Sequence, residues 1–117
     1  MNPTLIFVGS PYRATESHTL TENVTYACDA AKHVARVGIH RTQVPLVPHI
    51  LFTRFLDDSI KQEREKGMSL ALAMLRRCDE AWFFTDHGVS QGMADEIEAA
   101  SAAGIPIRMC VLPTGVR

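Results

Sequence analysis

The sequence contains no apolar run of the ~20 residues that a bilayer-spanning helix needs, and neither sign of charge dominates. Its 12 basic and 13 acidic residues leave a formal net charge of -1. The basic residues are scattered, Arg76-Arg77 being the tightest pair, so the footprint of a nucleic-acid binder is missing. The start, Met1-Asn2-Pro3-Thr4, has no basic stretch leading into a long apolar one, and the expectation is a soluble, cytoplasmic protein with no membrane partner. Cysteine is sparse: Cys28, Cys78 and Cys110 form no C-x-x-C pair and no zinc spacing. Each lies in an apolar segment, which favours buried, reduced thiols over a catalytic one. His18, His33, His40 and His87 fall at no metal-ligand spacing with carboxylates, and neither metal nor cofactor is expected. No repeat, low-complexity tract or linker divides the chain, so residues 1–117 are expected to form one domain. At 46% hydrophobic residues it can bury a core.

What is present alternates between short apolar runs and helical periodicity. Thr4 to Val8 (T-L-I-F-V) ends at Gly9 and suits a buried parallel strand. After a polar loop containing Pro11, Thr19-x-x-Glu22 reads as a capping box. Val24, Ala27, Ala31, Val34 and Gly38 then recur at helical spacing, giving a helix from about Glu22 to Val37. Val44 to Pro48 is a second strand with its prolines near the ends. Residues 49–58 hold a helical turn, and Asp58 or Ser59 can cap the next helix, which runs to about Cys78. Ala81 to Thr85 is the third strand, about Gln91 to Ala103 the last helix, stopped by Gly104, and Ile105 to Leu112 the fourth strand.

That order predicts an α/β fold: a three-layer, Rossmann- or flavodoxin-like parallel sheet of four to five strands with helices on both faces. Right-handed crossovers favour the strand order 2-1-3-4, with a ligand crevice at the carboxyl ends of strands 1 and 3. Those ends are Gly9 to Arg13 and Thr85 to Ser90, the two segments with the least ordinary chemistry. Gly9-Ser10-Pro11-Tyr12-Arg13 offers backbone N–H groups, a guanidinium for a phosphate or carboxylate, and a ring for a base or sugar. It is neither a G-x-G-x-x-G nor a P-loop. Ser90 can cap the last helix, and Gly92 lets a ligand approach its backbone. With Met93, Ile97, Ala100 and Gly104 facing the sheet, Glu96 lies roughly 60° off the centre of that stripe. Its neighbours Gly92, Ala99 and Ala103 leave room beside the carboxylate. On spacing alone, a solvated acidic face formed with Asp95 and Glu98 is the favoured reading. His49 lies on the same edge of the sheet. The helix around Met68 to Leu75 is apolar nearly all round, which points to a homodimer or larger homo-oligomer.

Five motifs taken together resemble a known group. They are Ile6 to Arg13 (I-F-V-G-S-P-Y-R), Pro48-His49, Glu63-Arg64-Glu65-x-Gly67, Cys78-Asp79-Glu80-x-Trp82 and Ser90-x-Gly92-Met93-x-x-Glu96-Ile97. The chain from about residue 5 to 112 resembles small bacterial and phage proteins of a DUF4406-like group. That group is similar to the nucleoside 2-deoxyribosyltransferase superfamily, which includes the 2′-deoxynucleoside 5′-phosphate N-hydrolases. The resemblance implies that Glu96 is the nucleophile attacking C1′ of the sugar, that Ser90 binds a 5′-phosphate, and that Tyr12 packs near the sugar. An oxocarbenium-like centre favours such a carboxylate. Gly9, Ser10, Tyr12, Arg13, His49, Asp79, Ser90, Gly92 and Met93 make up the expected substrate-binding set. An aspartate of those enzymes' preceding helix falls near Ala71 here, leaving Asp79, Asp86 or Glu65 to replace it. The expected activity is N-glycosidic cleavage or deoxyribosyl transfer on a small-molecule nucleoside or nucleotide. The alternatives are a non-catalytic module of the same fold binding a nucleotide or ADP-ribose-like ligand, and a purely structural protein acting through the apolar helix.

Overall fold

The computed structural model describes residues 2–113; Met1 and residues 114–117, the ends of the expected domain, lie outside the described residues. In chain order the elements are β1 (Thr4–Gly9), α1 (Leu20–Val37), β2 (Gln43–Leu46), α2 (Pro48–Leu51), α3 (Lys61–Leu75), β3 (Glu80–Phe84), α4 (Gln91–Ala102) and β4 (Ile107–Cys110), and the 3-10 turn Phe52–Arg54 extends α2. All strand pairings are parallel, in the order β2-β1-β3-β4. This is the expected topology, with four strands rather than five among the described residues.

Alternation along β1 and β3 builds two cores. Ile6, Val8, Trp82 and Phe84 meet Tyr26, Ala30 and Val34 of α1 on one face. Phe7, Ala81 and Phe83 meet Leu75 of α3 with Met93 and Ala100 of α4 on the other. After their first residues, Thr4 and Glu80, the central strands carry no polar side chain, because both of their faces are covered. Pro45 is tolerated because β2 is an edge strand. Pro48 opens α2 instead of ending β2, using the helix position where a missing N–H costs nothing.

Thr19 and Glu22 form the expected capping box, the Glu22 N–H donating to Thr19 Oγ1 at 3.1 Å and the Thr19 N–H to Glu22 Oε1 at 2.8 Å. The buried stripe of α1 is nevertheless Asn23, Tyr26, Ala27, Ala30 and Val34, shifted from the expected Val24 and Ala31. Cys28 falls out of phase with that stripe and is exposed, contrary to expectation, whereas Cys78 is buried and Cys110 half-buried. Burial pushes the Cys78 thiol up to about 11, which makes it a packing group and not a nucleophile.

Neither Asp58 nor Ser59 caps α3; Ile60 holds that position without a side-chain bond. Asp57 accepts from the Ser59 N–H and Oγ, at 2.9 and 2.6 Å, and Asp58 is paired elsewhere. The apolar surplus of α3 is largely spent inside the chain. Ala71 and Leu75 are buried, and Leu72 and Met74 pack against the second core; Met68 is the α3 residue left as an exposed large apolar group. At the end of α4, Gly104 takes φ of 72°, a left-handed conformation that glycine adopts without strain.

Candidate functional site

The carboxyl ends of β1 and β3 open into a cleft of about 360 Å³. Its walls are the loop after β1, α2 with its 3-10 turn, one side of α3, and the first turns of α4. Ser10, Tyr12, Arg13, His49, Ser90, Gly92, Met93 and Glu96 all line it. The topological switch between β2-β1 and β1-β3 therefore gathers eight of the ten expected residues into one concavity.

On the α4 side, the Ser90 hydroxyl accepts from the Met93 N–H at 3.2 Å and caps the helix. An added Cβ at Gly92 would meet nothing nearer than Ser90 Oγ, at 3.9 Å, so the backbone there is open to a ligand. Met93 is buried against the sheet and forms the cleft floor. Glu96 is half-buried in the cleft. Removal from water, and then the neighbouring Asp95 charge, push its carboxyl from the usual 4.5 up to about 7. The fully solvated acidic face is thus not what forms: Asp95 accepts from Gln91 Nε2 at 2.9 Å, while Glu96 turns inward.

Opposite, Ser10 Oγ and His49 Nε2 share a hydrogen bond of 3.1 Å. His49 belongs to α2, not to the end of β2, and the edge of its ring meets the Tyr12 ring with centroids 5.9 Å apart. Burial lowers the His49 imidazole to about 4, so it is neutral at physiological pH. Thr53 Oγ1 donates to the His49 carbonyl at 2.6 Å and fixes the short helix.

Three expected residues have other positions or partners. Asp79 lies at the amino-terminal edge of the sheet, where its Oδ2 accepts from the Leu5 N–H at 2.7 Å; the length of β3, about 17 Å at the usual strand rise, separates it from the cleft. Gly9 does not line the cleft either; an added Cβ would run into the Phe83 ring, so its role is packing. Arg13 does line it, but its Nε donates to Asp58 Oδ2 at 2.8 Å and its Nη2 to the Asp58 carbonyl at 3.2 Å. The expected free guanidinium is a latch between the first loop and the segment before α3.

Asn23 was hidden by its polarity. It is fully buried, its Nδ2 donates to the Arg13 carbonyl at 2.9 Å and the Tyr12 carbonyl at 3.4 Å, and its Oδ1 lies 2.9 Å from His87 Nδ1. One side chain holds the first loop in place. Its spacing from Ala27, Ala30 and Val34 was the available signal. Arg64, Gly67, Met68 and Ala71 of α3 also face the cleft; their i, i+3, i+4, i+7 spacing is that of one helix face.

Residues 4–110 match the family described as Domain of unknown function (DUF7768). The chain belongs to that family. The DUF4406-like assignment is thereby corrected. Among solved structures, this DUF7768 protein is similar to the 2-deoxyribosyltransferase of the psychrotolerant bacterium Bacillus psychrosaccharolyticus, which is described as a biocatalyst for nucleoside synthesis. The two share 18% identity with a TM-score of 0.69 over 96% of this chain and 74% of that one. The fold is therefore that of a nucleoside deoxyribosyltransferase. No curated protein matches the sequence. No helix among the described residues is long and apolar enough to cross a membrane.

Proposed function

We propose that this DUF7768 protein breaks the base–sugar bond of a nucleoside or nucleotide, as an N-glycosidase or deoxyribosyltransferase, with Glu96 as nucleophile. The observation that carries the reading is the Glu96 carboxyl, half-buried in the cleft with its pKa raised to about 7, on a fold shared with a 2-deoxyribosyltransferase. Glu96 Oε attacks C1′ as the C1′–N bond breaks, and the electron pair of that bond leaves with the base. The base takes a proton from solvent and a glycosyl ester remains on Glu96. Water then hydrolyses the ester, or a second base accepts the sugar. Glu96 must be ionised to attack, so the rate rises with pH through about 7. Tyr12 and the neutral His49 line the sugar and base side, with Ser10 and Ser90 toward the phosphate.

The second reading is a binding module for a nucleotide or ADP-ribose-like ligand. It is favoured by Ala71, which lines the cleft and brings no carboxylate where the resemblance implies an aspartate. Chromatography of base released from deoxynucleosides and their 5′-monophosphates separates the two, with Glu96→Ala as control. Equal release by that variant would remove Glu96 from the chemistry. No release from the whole panel, with calorimetric binding of unchanged ligand, would leave the binding module.

A further inference from the structure

The sheet has two edges, and the chain blocks only one of them. Beside β2, the Thr4 N–H donates to the Thr42 carbonyl at 2.8 Å. The pairing alternates from there, so the backbones of Val44 and Leu46 turn to β1 and those of Gln43 and Pro45 turn outward. Pro45 has no N–H to offer at its outward position, which stops another strand from adding there. Beside β4, the Ala81 N–H donates to the Pro106 carbonyl at 2.9 Å and the Thr85 N–H to the Cys110 carbonyl at 3.0 Å. The same alternation turns Arg108 and Cys110 to β3 and leaves the N–H and C=O groups of Ile107 and Met109 facing outward. The Leu112 N–H returns to Asp86 Oδ2 at 2.9 Å, so Val111 continues the outward series. No strand pairs with that side of β4 among the described residues, and no proline or charge stands at those positions.

The side chains of this edge are apolar as well. Met109 and Val111 are 53% and 64% exposed, and Ile107 packs against the core under α3 and α4. Between Ile105 and Leu112 the single charge is Arg108, and its guanidinium lies over the Trp82 ring, 4.2 Å from the centroid. Monomeric proteins disarm such an edge with lysine, proline or a bulge. This one matches itself instead. Turned antiparallel about a two-fold axis at Met109, β4 sets Met109 opposite its own counterpart, Ile107 opposite that of Val111, and Arg108 opposite that of Cys110. The first two pairings use the outward N–H and C=O groups, and the third brings no like charges face to face. A strand rich in one sign of charge finds no complement on this edge, whereas a second copy finds an apolar one.

We propose that the β4 edge is a homodimer interface, on which a second copy of this chain joins two four-stranded sheets into one. The apolar surface of α3, the other candidate for that role, is largely spent inside the chain. No residue of β4 lines the cleft, so the inference does not depend on the chemistry there.

The test is sedimentation equilibrium over a concentration series, with amide hydrogen exchange at low and high concentration, on the intact chain and on Met109→Lys, Met109→Glu and Met68→Lys. The wild type should form a dimer, and its Ile107, Met109 and Val111 amides should exchange more slowly in concentrated than in dilute protein. Each Met109 variant alone sets two like charges opposite each other and should raise the dissociation constant by about tenfold or more. Mixing the two should restore the dimer, because lysine then faces glutamate, a recovery that misfolding would not give. Met68→Lys alters the exposed apolar residue of α3 and should leave the dimer intact, with thermal transitions confirming that every variant folds. A wild type that stays monomeric at NMR concentrations, an assembly that grows beyond the dimer, or a dimer broken by Met68→Lys would each overturn the inference. So would folded Met109 variants that associate as the wild type does, or whose mixture stays monomeric. Slow exchange of the edge amides in dilute monomer would overturn it too, by placing a segment of the same chain on the edge.

Discussion

Replacing Glu96 by glutamine should make this protein more stable and, on the proposed chemistry, inactive. The fold raises the carboxyl from 4.5 to about 7, so it favours the protonated form. The stabilisation this gives is fully present below pH 4.5 and is lost as pH rises through about 7. Each tenfold in proton affinity is worth about 1.4 kcal/mol, so ionised Glu96 costs the native state about 3 kcal/mol at pH 8. Glutamine keeps the shape and a polar end without the charge. Glu96→Gln should therefore gain little at pH 4 and about 3 kcal/mol at pH 8, the latter raising Tm by about 10 °C for a chain of this length. Urea or thermal unfolding at the two pH values reads the gain, and base-release assays on the same preparations read the loss of turnover. The reasoning is refuted if the gain is absent at pH 8, or equal at both pH values, because the carboxylate would then be solvated in the native protein.

Two further outcomes follow from the same cleft. Burial lowers His49 to about 4 from 6.5, so its contribution to stability is present above pH 6.5 and fades as pH falls toward 4, by about 3 kcal/mol in all. That slope opposes the one from Glu96 between pH 4.5 and 6.5, and the two nearly cancel in the wild type. His49→Gln should unmask the Glu96 slope, with urea midpoints falling as pH rises from 4.5 to 7; a flat profile in that variant would remove one of the two buried groups from the argument. Asn23→Ala should leave the Tyr12 and Arg13 carbonyls without their side-chain donor and cost about 1–3 kcal/mol, with faster hydrogen exchange across residues 10–18 than across β1; unchanged exchange in the loop would show that Asn23 does not hold it.

The sheet order was legible because apolar runs ending in turns have few other meanings and right-handed crossovers leave few ways to connect them. Thr19-x-x-Glu22 was legible because a capping box is a local device. The site was legible where local chemistry and topology coincide, at Ser10, Tyr12, Ser90 and Glu96, all of which line one cleft. Legibility failed where a residue's partner is distant in sequence. Gly9 is small because of the Phe83 ring, and nothing near Gly9 announces that ring. Asp79 resembles a site carboxylate until the parallel register sets it at the far edge, beside Leu5. Arg13 has an obvious use as an anion binder, and Asp58, 45 positions on, takes it. Asn23 was passed over because a scan for apolar periodicity does not register a polar residue on an inward face.

The two buried titratable groups connect these failures to function. Charging Glu96 in the cleft is unfavourable, and so is charging His49, because the cleft takes both groups out of water. Such a cavity lowers stability near neutral pH without improving any packing contact, a pattern expected where a site is kept for chemistry. On the proposed reaction, the charge that disfavours Glu96⁻ in the resting protein acquires a partner only when an oxocarbenium-like sugar carbon develops beside it. The interaction is then stronger in the transition state than in the ground state, which is the condition for accelerating a reaction and not merely binding its substrate. A carboxyl already solvated at rest would gain less at that moment. The raised Glu96 pKa and the expected stability of Glu96→Gln thus express one quantity, and a transition-state mimic carrying positive charge at the sugar should lower that pKa while its neutral analogue leaves it near 7.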